Sequence, residues 1–276
     1  MFLTTRFVVL AVPALWLVLF LGVPLAIVGV IAFAIPADTV PPFQLAARLD
    51  NLVLVLTDPY YRDALLGSVV VASITTPICL LLGYPMALGL ARAPARWRNA
   101  LLLATMLPFW TGFLMRINAW IGLLRDDGPI DAIGLWLGLG APRLLYTDTA
   151  LYLGIVYTYL PFMVLPLFTS LSRRDVALEE AAADLGAPPW SVFLRVTVPL
   201  SLPGIAAGCM LVFIPVIGEY VIPELLGPPS ASLVGRVVWG EFFGNRDWPT
   251  AAALALVVLP ILLAPLAAVR LWRERA

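Results

Sequence analysis

What this chain lacks restricts its chemistry as much as what it holds. All seventeen basic residues are Arg, and Lys and His are both absent. Without Lys there is no Walker A phosphate-binding lysine, and without His there is no His-based triad and no zinc-hydrolase site. If ATP drives this protein, another chain hydrolyses it. The sharpest single residue is Glu219, a lone carboxylate in the apolar run 199–222. An ionisable group inside such a run is costly and usually faces a cavity, a partner or a permeant. Three readings stay open: a carboxylate that neutralises a cation on a pathway, an interhelical pair with Arg116, or a position close enough to the interface to stay wet. Trp110, Trp120, Tyr157, Tyr159 and Tyr220 can line an aromatic cavity, where an ammonium over a ring face gains about 0.5–2 kcal/mol. The same residue types gather at membrane interfaces for unrelated reasons. Thr111 and Asn118 are suited to hydrogen bonds between helices. Cys79 and Cys209 lie in apolar runs and read as small buried hydrophobes, so neither a disulfide nor a metal site is expected.

The elements that must position these residues are membrane helices. The chain is 62% hydrophobic and 12% charged, against about 45–50% and 25% for a soluble domain. Its natural solvent is lipid, and a formal net charge of zero gives no sign of a nucleic-acid partner. Apolar runs predict six spans, at about 7–35, 64–91, 99–124, 150–171, 199–222 and 249–269, in one domain covering 1–276. The first run competes with a cleaved signal peptide, since Ala32-Phe33-Ala34 mimics a cleavage site. Its length exceeds the roughly 7–15 residues of a signal core and favours a retained span. Pro77 and Pro85 interrupt the second span, and prolines elsewhere make local helix breaks plausible. Residues 36–63 read as an external loop, and the apolar piece 130–139 is too short to cross, so it reads as an interfacial helix or packed loop. With the N-terminus inside, ten arginines fall on the inner side and six on longer outer loops. The positive-inside rule then places both termini and the 172–199 loop in the cytoplasm. The outer loops hold more carboxylates than arginines, a weak bias toward cations.

Residues 172–199 are the longest stretch without a membrane-length apolar run and carry seven charges. Asp175 is suited to cap a helix, and Gly186 followed by Pro188 and Pro189 is suited to end it. The result is a helix of about three turns and then a sharp corner. Leu178, Ala181, Ala182 and Leu185 share one stripe, with Glu179, Ala183 and Asp184 elsewhere. Such a helix needs a partner.

Glu180-Ala181-Ala182, three further residues, Gly186, and Pro199 closing Val196-Thr197-Val198-Pro199 resemble the EAA loop of ABC importer permeases. The family's usual Ile and Leu are replaced by Val196 and Val198, both branched and apolar. In that family the loop is a cytoplasmic coupling helix that docks into a groove on a separate ATPase subunit. The resemblance thus implies Glu179, Glu180, Ala181, Ala182, Asp184, Leu185 and Gly186 as the coupling surface. Further stretches look like the polyamine branch, its putrescine-type subunits most of all: Leu107 to Thr111 with Leu114-Met115-Arg116, Tyr159 to Pro166, Gly208 to Pro215, Gly218 to Gly227, and Asn245 to Pro249. Together they cover roughly residues 50–265.

What the resemblance implies is an all-α integral membrane protein with the type I ABC importer permease fold and the coupling helix between spans four and five. It also implies a bacterial inner-membrane location, a second permease subunit in a heterodimer, two ATPase subunits that hold ATP and Mg, and an external polyamine-binding protein. The expected activity is import of putrescine or spermidine by alternating access, with no catalytic residue and no cofactor in this chain. Glu219, Tyr220, Trp110, Arg116, Asn118, Tyr157 and Tyr159 are the expected substrate path. The alternatives are a permease of the same class for another small substrate, a self-contained secondary carrier, which leaves the coupling loop unexplained, and a membrane scaffold with no pathway.

Overall fold

The structure, a computed structural model, describes residues 2–138, 140 and 143–275, with side chains for 10–138, 140, 143–267, 270 and 271. In lipid a backbone must satisfy its own polar groups, so apolar runs become helices. Among the described residues five helices are long and apolar enough to cross a membrane, and six when one bent pair counts as a single span.

The first span is α1 (Phe2–Leu17) and α2 (Val23–Ala32), joined by the π-helical turn Val18–Gly22. It stops at Ala32, three residues short of the apolar run, because Asn51 caps its end: Nδ2 donates to the carbonyls of Ala32 and Ala34 at 3.0 and 2.7 Å. The expected external loop is more ordered than a loop. It holds the antiparallel pair β1 (Ile35–Pro36) and β2 (Phe43–Gln44), then α3 (Asp50–Thr57).

The second span, α4 (Pro59–Arg92), starts earlier than its apolar run because Asp58 accepts a hydrogen bond from the Tyr60 amide at 2.8 Å and Pro59 fits the first turn. Its 34 residues make a rod about 50 Å long. Pro77 and Pro85 do not interrupt it, contrary to expectation. Helices packed on both sides hold the rod in place, which is how membrane proteins tolerate internal prolines.

The third span is the main departure. Instead of one helix over 99–124 there are α5 (Ala95–Trp110) and α6 (Phe113–Leu124), the latter continuing in direction toward α7 (Pro129–Trp136), with a bend of 88° between the arms. Thr111 and Gly112 both take extended backbone, with ψ near 140°, and the Thr111 hydroxyl donates to the Pro108 carbonyl at 2.9 Å, occupying an acceptor that the helix end frees. The short apolar piece is helical as α7, although Leu139 lies outside the described residues.

The fourth span is α8 (Asp148–Ser172), followed by α9 (Val176–Asp184) and α10 (Pro189–Val192). A π-helical turn at Phe193–Thr197 joins α10 to α11 (Val198–Ile217), so the fifth span runs unbroken from Pro189 to Ile217. It ends at Gly218 rather than 222, which leaves Glu219 in the turn before α12 (Val221–Leu225). The chain closes with α13 (Val234–Trp239) and α14 (Trp248–Arg275).

Helices α4, α8 and α11 pack against one another and form the centre, while α14 packs on α2 and α3. Cys79, Ile155, Met163, Leu167 and Val212 are fully buried there, and Cys79 and Cys209 are free thiols. Two buried polar contacts set the arrangement: Tyr84 and Ser201 hydroxyls at 2.9 Å tie α4 to α11, and the Val234 amide donates to the Ser68 hydroxyl at 2.8 Å, tying α13 to α4.

Candidate functional site

Local chemistry builds α9 as the sequence indicates. The Asp175 carboxylate accepts from the Ala177 amide at 3.0 Å, and Gly186 takes φ +83°, a left-handed conformation that costs a residue with a Cβ about 1–2 kcal/mol. The Gly186 and Ala187 amides donate to the carbonyls of Ala183 and Ala182, closing the helix end.

The orientation of α9 was not legible in its sequence. Of its apolar stripe, Leu178, Ala181 and Leu185 are exposed, the leucines at 48% and 89%, while Ala182 is half-buried. Glu179, expected on the outward surface with Glu180 and Asp184, turns inward instead. Its carboxylate accepts from Arg174 Nε and the Thr197 hydroxyl, both at 2.7 Å, and pairs with Arg92 Nη2 at 3.3 Å. One side chain thereby links α9 to the end of α4, the segment after α8 and the turn before α11. Arg174 is 5% exposed and Glu179 12%, while Arg92 is 57% exposed, so the Arg174–Glu179 pair is buried and the Arg92 side is open. Burial pushes the Glu179 carboxyl up, but the Thr197 hydroxyl and the Arg174 and Arg92 guanidinium groups outweigh it and hold the carboxyl below its ordinary range. Glu180, Ala181, Asp184, Leu185 and Gly186 stay exposed, and Ala182 is half-buried.

At the far end of α11, Glu219 is 8% exposed. It accepts a short hydrogen bond from the Tyr159 hydroxyl, and its Oε1 accepts from the Val221 and Ile222 amides at 3.1 and 3.3 Å. It therefore caps the start of α12, with both oxygens engaged by this chain. Gly235 fits against the same turn: a Cβ there would lie 2.6 Å from the backbone oxygens of Gly218 and Glu219. No Glu219–Arg116 pair forms, so that alternative is excluded among the described residues. Arg116, 9% exposed, sits 5.7 Å from the ring centres of Phe109 and Phe113, and its Nε and Nη1 have no hydrogen-bond partner.

The five aromatic residues that can line a cavity or gather at interfaces are dispersed among separate contacts in the described residues. Trp120 and Tyr157 meet edge to face at 5.3 Å, Tyr159 leans toward Phe162, Tyr220 stacks on Trp239 at 4.5 Å, and Trp110 is 78% exposed. Asn118 bonds back to the Leu114 carbonyl of its own helix. Of the expected path residues, Tyr159 and Glu219 are joined by a hydrogen bond. At the end of the molecule remote from α9, two clefts open. One of about 920 Å³ is lined by Asp38, Tyr61, Glu241 and Asp247 among others. Its acidic character is largely internal: Glu241 accepts from Tyr61 and Asn245, and Asp247 from Thr250. The other, of about 490 Å³, contains Tyr220 beside Tyr60, Glu224, Arg236 and Trp239, four residues that sequence reasoning missed. No single local spacing unites them, because they come from the start of α4, from α12 and from α13.

Comparison with known proteins places this architecture. The sequence matches the family described as "Binding-protein-dependent transport system inner membrane component" over residues 3–274. It is 40% identical over 246 residues to the spermidine/putrescine transport system permease protein PotB of Escherichia coli, covering 88% of each chain. The PotB of Haemophilus influenzae is 38% identical over 252 residues, covering 90% of this chain and 87% of that one. The molybdenum transport system permease protein ModB of Mycobacterium bovis is 33% identical over 243 residues, covering 87% and 89%. Among solved structures, a bacterial ABC transporter involved in alginate import superposes with TM-score 0.72 at 19% identity, covering 98% of this chain and 95% of that one. The fold is thus the type I ABC importer permease fold, with the third span bent. This chain belongs to the family of binding-protein-dependent transport system inner membrane components, the permease subunits of ABC importers.

Proposed function

We propose that this chain is the permease subunit of an ATP-driven importer that carries a small polyamine, putrescine or spermidine, into the cytoplasm by alternating access. The observation that carries the coupling is the setting of α9. The helix offers Leu178 and Leu185 outward, and its back is clamped through Glu179 to the ends of three spans. An outward apolar face on a short helix suits a groove on a neighbouring subunit, and the clamp converts displacement of that helix into displacement of the spans. The chain has no lysine for a phosphate-binding loop, so hydrolysis of Mg-bound ATP belongs to two partner subunits. The choice of polyamine is supported by the spermidine/putrescine permeases at 38–40% identity. The 33% identity to a molybdenum permease favours a second reading, another small solute carried by the same machinery.

A second permease subunit and an external binding protein complete the assembly. The exposed apolar first span, with Leu15, Trp16 and Phe20 each more than half exposed, offers surface for that subunit or for lipid. Alternating access draws its energy from differential binding of nucleotide and of loaded binding protein to the two states. Hydrolysis of ATP by the complex reconstituted with its binding protein tests the whole reading. Stimulation by putrescine or spermidine is expected. Stimulation by molybdate instead supports the second reading, and active transport by this chain without an ATPase overturns both.

A further inference from the structure

The cleft of about 490 Å³ is within the volume range of small-molecule sites. Tyr220 lies in it, stacked on Trp239 at 4.5 Å and 15°. Phe243 approaches Trp239 at 4.2 Å, and together these contacts hold the pair still. Tyr220 is partly exposed and lines the cleft, as does the half-exposed Tyr60. Glu224 Oε2 forms an ion pair with Arg236 Nε at 2.6 Å, while Oε1 has no protein partner among the described residues. Arg236 is further engaged through Nη1, which donates to the Pro229 carbonyl at 3.3 Å. Glu224 thus keeps an uncommitted acceptor oxygen in the cleft, and Arg236 keeps the N–H groups of Nη2. A free carboxylate oxygen beside a partly exposed phenol ring is complementary to an alkylammonium, which brings three donors and a positive charge.

We propose that this cleft binds one ammonium end of a linear aliphatic diamine, held between Glu224 and the Tyr220 and Tyr60 rings, with Arg236 competing for the same carboxylate. The inference rests on the polyamine reading for its choice of ligand. It assigns the site to the end of the bundle opposite α9, at the far end of the rod α4.

The opposite signs of two variants provide the test. Radiolabelled 1,4-diaminobutane is titrated onto the purified permease complex without its binding protein, and uptake is measured in proteoliposomes with the binding protein. Glu224→Gln is expected to weaken diamine binding about tenfold. Arg236→Gln, which frees the carboxylate, is expected to tighten it by roughly threefold or more. Neutral 1,4-butanediol should not compete. If both variants weaken binding alike, the pair only holds α12 to α13 and the site is overturned, as it is if neither moves the affinity or the wild type binds no diamine. Wild-type diamine uptake with unmoved variants sinks the cleft and leaves the import reading intact. Absent wild-type uptake, together with variants moving in opposite directions, sinks the import reading and leaves the cleft.

Discussion

Glu179 illustrates how one side chain can exchange roles between sequence and structure. Beside Glu180 in an acidic helix it reads as a surface charge, yet it faces Arg174, Arg92 and Thr197. Glu179→Gln should loosen α9 by roughly 1.5–3 kcal/mol, the range for hydrogen bonds to charged groups. The expected readout is faster amide hydrogen exchange across Val176–Asp184, with ATP hydrolysis less tightly linked to transport. Because the folded carboxyl titrates below its ordinary value, the clamp contributes fully above about pH 4.3 and is lost as pH falls through the lowered folded value. Protection of the α9 amides, taken relative to their intrinsic exchange rates at each pH, should therefore fall in acid for the wild type and change less for the variant. Glu219 makes the complementary case. Its oxygens are engaged by Tyr159 and two amides, so Glu219→Gln should lower assembly and uptake together. Lost uptake with intact assembly would point back to a carboxylate serving the permeant.

Among the elements, the breaks are informative because the prolines predict them poorly. Pro77 and Pro85 sit inside an unbroken α4, whereas the turns fall at Thr111–Gly112 and at Gly218. A proline within a packed bundle loses one hydrogen bond that neighbours and local side chains can make good, while extended backbone at two successive residues ends a helix outright. The turn at Gly218 depends on α13 lying against it. Gly235→Ala places a methyl 2.6 Å from two backbone oxygens that cannot move aside, and overpacking of this kind costs about 1–3 kcal/mol. The expected outcome is a lower melting temperature for the purified protein, with the 218–227 segment opening first in hydrogen exchange. An unchanged melting curve would mean that α13 is not what holds the turn.

For the whole molecule, the decisive question is which end of the bundle faces the cytoplasm. The excess of arginine on one side predicts that α9 does. Leu185 is 89% exposed, so Leu185→Cys in a background lacking Cys79 and Cys209 gives a clean probe. Labelling by a membrane-impermeant maleimide is expected only after the cells are opened. Labelling of intact cells would invert the topology and separate α9 from any cytoplasmic ATPase.

What the sequence determined by itself is everything that short-range physics controls. Apolar length set the number of spans, Asp175 and Gly186 set the ends of α9, and the missing lysine and histidine removed whole classes of chemistry. Family resemblance along the coupling loop was legible for the same reason, since its pattern lies within twenty-eight consecutive residues, 172–199. Only the tertiary structure decided that Glu179 faces inward, that Arg116 lies among rings rather than beside Glu219, and that Tyr60, Tyr220, Glu224 and Trp239 share a cleft. These placements bring together residues up to about 180 positions apart, as Tyr60 and Trp239 are. No periodicity of 3.6 residues encodes such a meeting; the packing of α4, α8, α11 and α13 does.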